Sequence, residues 1–190
     1  MNLRRPSRPV RRALLATAAA GLAVLAAAVW FGSPYPAADP EAAAARLKDE
    51  ARWAYDEARL PPGTVPVEGR VETGSCYYRG LRSLAHIDEA RSDVRSFALR
   101  WEVRGVSGAA ARAGQDRTRA RLAAAGWRLI SENVSDRGFR FEDPASGRTV
   151  SVDWYEPTGT YAMTGYVPCG RLPDGFDEYA WPSAAWHPER

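Results

Sequence analysis

The chain has 190 residues, of which 45% are hydrophobic and 26% charged, with 26 basic and 23 acidic side chains, two histidines and two cysteines. Arg4, Arg5, Arg8, Arg11 and Arg12 account for the formal charge of +3. Without them 21 basic residues face 23 acidic ones, a net of −2, which removes the electrostatic basis for nucleic-acid binding. Only Lys48 is a lysine, so the abundance of arginine and alanine reads as coding bias rather than phosphate recognition.

Residues 1–12 form a basic N-terminus, and residues 13–31 an uncharged apolar segment. Nineteen residues at the helical rise cover about 28 Å, close to the hydrocarbon thickness of a bilayer. With no acidic residue before Asp39, the arginines predict a cytoplasmic N-terminus, a single transmembrane helix and everything after it outside the membrane. Ala26-Ala27-Ala28 also satisfies the small-x-small rule of a cleaved signal peptide, which would release the chain as a secreted protein. The length of the segment, with Trp30 and Phe31 where an outer aromatic belt falls, favours the uncleaved anchor. Arg11-Arg12-Ala13-Leu14-Leu15 resembles the core of twin-arginine export signals, with Val10 in place of the usual polar residue, so the export route stays open.

Residues 32–63 read as a linker and a juxtamembrane helix. Asp39-Pro40-Glu41 supplies an N-cap, a first-turn proline and an acid suited to the helix dipole. Leu47, Ala51, Ala54, Tyr55 and Ala58 then form one stripe, and Pro61-Pro62-Gly63 ends the helix. Roughly 150 residues follow the leader, enough for one domain with its own core, which we place at 64–170. Its start, 64–93, is irregular and broken by Pro66, Gly69, Gly74 and Gly80, with a short helix expected near 85–95. Phe97, Leu99, Trp101 and Val103 alternate with Ala98, Arg100, Glu102 and Arg104, a strand with one buried face. Ser107 can cap a helix over 108–125, with Ala109, Ala113, Ala120 and Ala124 as its apolar side and Gly126 as its stop. Strands are expected at 127–134, 138–142, 149–155 and 160–167, separated by turns rich in Asp, Pro and Gly. The predicted class is α+β: an N-terminal transmembrane helix, then a two-layer domain whose antiparallel sheet, a strand-helix-four-strand meander, is covered by one or two helices. Residues 171–190, with Trp181, Trp186 and three prolines, read as a loop-like tail.

Cys76 and Cys169 stand 93 residues apart and belong to no CxxC, zinc or lipid-attachment pattern. Outside the membrane an even pair predicts a disulfide. The arginine-rich leader, the early Cys76, Arg119-Ala120-Arg121-Leu122 with Gly126-Trp127, and the late Pro168-Cys169 together resemble membrane-anchored or exported actinobacterial proteins without an assigned activity. The resemblance implies export and transfers no catalytic residue.

No cofactor motif is present, neither GxGxxG nor P-loop, and no metal-ligand spacing. His86 beside Asp88 and Glu89, with His187 far away in the tail, reads as a structural or surface histidine. Gly74-Ser75-Cys76 and Gly105-Val106-Ser107-Gly108 make no nucleophile elbow. Glu142-Asp143 and the trio Asp153, Glu156 and Glu178 offer carboxylates that turns and solvated faces explain equally. Arg100, Arg140, Asp153 and Tyr155, out of phase with the buried aromatics, are expected together on the face opposite the helix, as a partner-binding face. The functional expectation is therefore a non-catalytic extracytoplasmic domain that binds an envelope protein or a glycan of the cell wall, and the alternative is an exported hydrolase using Asp153 or Glu156.

Overall fold

A computed structural model gives the structure of residues 21–133, 138–178, 181 and 186. The arginine cluster, the first part of the apolar segment (13–20) and His187 lie outside the described residues. Those described form two compact units, one of residues 21–35 with 77–91, the other of residues 36–76 with those from 92 onward.

The smaller unit begins with helix α1, described over 21–31. Among the described residues no helix is long and apolar enough to cross a membrane. The loop 77–91 carries a single helical turn, α3 (Arg82–Ala85). The longer helix expected near 85–95 does not form: the turn ends at Ala85, Asp88 takes a left-handed conformation at φ 61°, and a strand starts at Ala90.

The larger unit is an α+β domain. Helix α2 (Pro40–Ala58) starts where the Asp39 carboxylate accepts from the Ala42 N–H at 3.1 Å and stops at Arg59, whose φ is 41°. Its inner face buries Leu47, Ala51, Ala54 and Ala58 of the expected stripe and, beyond it, Ala44, while Tyr55 is half-buried. Six strands follow: β1 (Val65–Tyr77), β2 (Ala90–Arg104), β3 (Arg128–Asn133), β4 (Gly138–Glu142), β5 (Thr149–Tyr155) and β6 (Thr160–Arg171). Their order across the sheet is β1-β2-β6-β5-β4-β3. The last four strands are a meander, and β6 pairs antiparallel with both β5 and β2. Strand β1 occupies part of the stretch that reads as irregular in sequence. Its inward positions include Gly69 and Val71, and with glycine at such positions the alternation is hidden.

Ser107 caps helix α4 (Gly108–Ala124), its hydroxyl accepting from the Ala110 N–H at 3.3 Å. The helix is rotated from the expected side. It buries Ala111, Gly114, Gln115, Thr118 and Leu122, while Ala109, Ala120 and Ala124 face outward. Close helix packing explains the choice. A Cβ on Gly114 would lie 3.1 Å from the Ala58 carbonyl oxygen, a tight contact that would push α4 and the end of α2 apart by a few tenths of an ångström, so glycine eases the close approach. Arg117, from the same helix, donates to the Glu57 carbonyl at 3.1 Å and the Ala58 carbonyl at 2.6 Å. Those are carbonyls that the end of α2 leaves without helical partners.

Between helices and sheet lie Leu47, Phe97, Leu99, Trp101, Val103, Leu122, Val150, Val152, Tyr161 and Met163, all fully buried. The tail is not a free loop. Trp186 is 3% exposed, stands 5.9 Å from the Trp101 ring and pairs its backbone with Gly69 of β1. Trp181 packs edge-on to Phe97 at 5.6 Å, and its indole N–H donates to Glu41 at 2.7 Å. The aromatic payload of these two residues overrides the absence of periodicity around them.

Cys76 and Cys169 form the expected disulfide, which joins β1 to β6, the strands on either side of β2. Closing a 93-residue loop stabilises the fold by about 4–5 kcal/mol in the chain-entropy treatment. Reduction, or Cys76→Ala, is therefore expected to lower the melting temperature by about 10–15 °C, read by thermal denaturation with and without reductant.

Candidate functional site: the open face of the sheet

Both α2 and α4 lie on the side of Trp101, Tyr161 and Trp154, since Gly165 of β6 faces Leu47, Gly114 faces Tyr161 and Gly108 abuts the Trp154 ring. Strand alternation sends the intervening residues to the other side. Register then sets them in rows. Arg100, Thr164, Ser151 and Arg140 are successive cross-strand partners from β2 through β6 and β5 to β4. Beside that row run Glu102, Ala162 and Asp153, and then Thr160 with Tyr155. The four residues expected on a common face, Arg100, Arg140, Asp153 and Tyr155, do share it. Three strand spacings separate Arg100 from Arg140, about 14 Å.

Small side chains fill the centre and long ones the periphery. Ala162 has no exposed surface, and Ser151 and Thr160 are buried although α2 and α4 both lie on the opposite side. Around them Arg100 donates to Glu102 at 3.0 Å, its guanidinium 5.9 Å from the Tyr155 ring, and Arg140 donates to Ser151 Oγ at 2.8 Å. Partial burial opposes the Arg100 charge, but hydrogen bonds to Tyr155 and Glu102 outweigh it and raise its pKa above the ordinary value. Asp153 lies over Gly138, where a Cβ would come within 2.1 Å of its carboxylate oxygen, so a side chain at 138 would make the carboxylate move from its present place.

Two depressions open on this face. One, of about 440 Å³, is lined by Glu102, Arg104, Tyr155, Thr158 and Thr160. The other, of about 410 Å³, lies toward the β1 edge, with Glu68, Arg70, Glu72, Arg100 and Glu102 in its lining. The residues from β1 escape sequence reasoning because the strand itself is hidden. Ser151 and Thr164 escape it because only the register puts them between the two arginines.

The other candidates disperse. Asp153 and Glu178 do not converge: Glu178 pairs with Arg95 at 2.6 Å, and Arg95 stands opposite Gly170, eight residues along β6 from Ala162, the partner of Asp153. That is about 26 Å of strand. Glu156 begins an exposed single turn of 3₁₀ helix. His86 contacts Glu89 at 2.5 Å and stacks on Tyr78 at 4.1 Å. Among the described residues no group of three His, Cys, Asp or Glu side chains is placed to hold a metal ion.

An ion-pair cluster lies away from the open face, where Arg148 bonds Glu50 of α2, Asp143 at 2.9 Å and Ser146 at 2.8 Å. The Arg148 guanidinium also sits 5.4 Å from the Trp127 ring centroid. Burial pushes the Glu50 carboxyl above its usual value against the pull of Arg148 and Arg46. Asp143, by contrast, is held at about 2 by hydrogen bonds from Ser146, Arg148 and the Ala145 N–H. The cluster clamps the β4–β5 turn to α2. No protein-family model, no curated protein and no solved structure matches this chain.

The Asp143 shift has a definite sign. A carboxyl depressed on folding contributes stability that is complete above its unfolded pKa and lost as pH falls through its folded one. With 3.8 and about 2 as the two values, the domain is expected to weaken as pH falls from about 4 to 2. Urea midpoints across that range should fall less steeply in Asp143→Asn than in the parent.

Proposed function

We propose that the protein is an exported, membrane-tethered binding module, with a single-pass anchor over 13–31 and a ligand-binding surface on the open face of its sheet. The observation that carries this reading is the row Arg100, Thr164, Ser151, Arg140, with Asp153 and Tyr155 beside it, on the face opposite α2 and α4. Two guanidiniums about 14 Å apart, with hydroxyls between them, suit an extended ligand crossing the strands better than a small molecule held at one point. The ligand class is an envelope protein or a cell-wall glycan, reached because the arginine-rich leader directs the domain outward. The disulfide supports the same compartment.

Full-length protein should remain in the membrane after carbonate washing. A soluble exported chain beginning near Val29 would replace the anchor with a cleaved signal.

Charge reversal at both arginines, Arg100→Glu with Arg140→Glu, should weaken capture of purified cell wall or of a crosslinked envelope protein by about tenfold or more, with the melting temperature nearly unchanged. Undiminished capture would refute the face as the binding surface. Turnover of an envelope substrate that disappears in Asp153→Asn or Glu156→Gln would make the protein a hydrolase instead.

A further inference from the structure

The smaller unit exposes apolar side chains in two places. On α1, Leu22, Val24, Leu25, Val29, Trp30 and Phe31 are 49–69% exposed, as befits the end of a membrane helix. On the loop 77–91, Leu81, Leu84 and Ile87 are 46%, 69% and 73% exposed. Three bare aliphatic residues spaced three apart on a short loop are costly in water.

The loop is fastened to the C-terminal end of α1. The Leu81 N–H donates to the Val29 carbonyl at 3.0 Å, one of the carbonyls available at a helix end. Gly80 lies against Gly32, both at positive φ, and a Cβ on Gly80 would stand 2.4 Å from the Gly32 nitrogen and 2.6 Å from the Val29 oxygen. Only glycine permits that contact.

Around this joint are aromatic rings and arginines. Arg79 stacks on Tyr35 at 3.7 Å and donates to the Ser33 carbonyl at 3.3 Å. Arg82 lies 4.7 Å from the Tyr78 ring and 5.9 Å from Phe31, and Arg91 lies within 6 Å of both Tyr35 and Tyr78. Aliphatic tips with tyrosine, tryptophan and arginine behind them are the chemistry of the bilayer interface, where aromatic rings sit at headgroup level and guanidiniums reach phosphates.

We infer that the loop 77–91 is a membrane foot: Leu81, Leu84 and Ile87 enter the outer leaflet beside α1, while Arg79, Arg82 and Arg91 stand at the lipid phosphates. The occupant of the apolar surface is lipid, because that surface continues from α1 itself and the loop is bonded to the helix end. The inference rests on the anchor reading and adds a second, non-spanning contact to it.

Full-length protein reconstituted in phosphatidylethanolamine and phosphatidylglycerol vesicles carrying a photoactivatable diazirine acyl chain tests it, with adducts mapped on tryptic peptides. Lipid adducts are expected on α1 and on the peptide 83–91, at Leu84 or Ile87. Leu84→Ser with Ile87→Ser should lose the second adduct and keep the first, with the disulfide intact. Labelling of α1 without labelling of 83–91 overturns the foot and leaves the anchor standing. No labelling of either peptide overturns both. A protein–protein crosslink at 83–91 in place of a lipid adduct refutes lipid as the occupant.

Discussion

Arg117 is the residue on which the two-layer arrangement turns. Its guanidinium closes the last carbonyls of α2 from the side of α4, while Gly114, one turn earlier, lets the backbones approach. The two helices thereby act as one layer on one face of a six-stranded sheet. Everything proposed for the opposite face depends on that. Had either helix crossed to the other side, the row from Arg100 to Arg140 would be covered, and its charges would have to be paired or paid for in desolvation. A small polar face in α4, with Gln115 and Thr118 buried, accompanies the close crossing. Its low apolar content also explains why the contact side of this helix is hard to find from hydrophobic spacing alone.

Where local chemistry decides structure, the sequence is legible. The Asp39 and Ser107 caps, the stripe on α2, the alternation of β2 and the turns of the meander each rest on residues close together in the chain. The disulfide is legible for a different reason, since a chain with two cysteines has one possible intramolecular pairing. What is illegible is set by distant partners. Strand β1 has glycine where an inward apolar residue would announce it, and its edge is completed by Trp186, more than a hundred residues later. Trp181 and Trp186 look like surplus aromatics in a proline-rich tail until Phe97, Trp101 and Tyr55 are seen to receive them.

The same division applies to the site. Alternation alone puts Arg100, Arg140, Asp153 and Tyr155 on one face, because a period of two fixes the side of every strand residue. It cannot supply the order of strands, and that order inserts β6 between β2 and β5. Ser151 and Thr164 therefore become the floor between the two arginines only once the register is known. The carboxylates divide by environment rather than by sequence. Asp143 and Glu178 are both lowered by hydrogen bonds to side chains, while Glu50 is raised by burial, and all three serve in ion pairs that fasten segments together.

The fastening has a consistent address. The chain leaves the sheet domain at three places, before Pro36, after Cys76 and before Ser92. Each is bound to the last few residues of β6 or the residue just beyond. Pro36 and Ala38 exchange backbone hydrogen bonds with Arg171, at 2.7 and 2.8 Å; Cys76 is joined to Cys169; and the Asp93 carbonyl accepts from Leu172 at 2.9 Å. The three links to the smaller unit thus depart from a single corner of the sheet domain, and one of them is covalently locked. On the tethered reading proposed above, such links would carry the load between bilayer and domain, and an edge strand pulled from one end loses its ladder bonds one after another. The disulfide ties β1, past its immediate neighbour β2, to a strand paired on both sides. The cysteine pair is therefore placed for the stem of the loop as much as for the stability of the core.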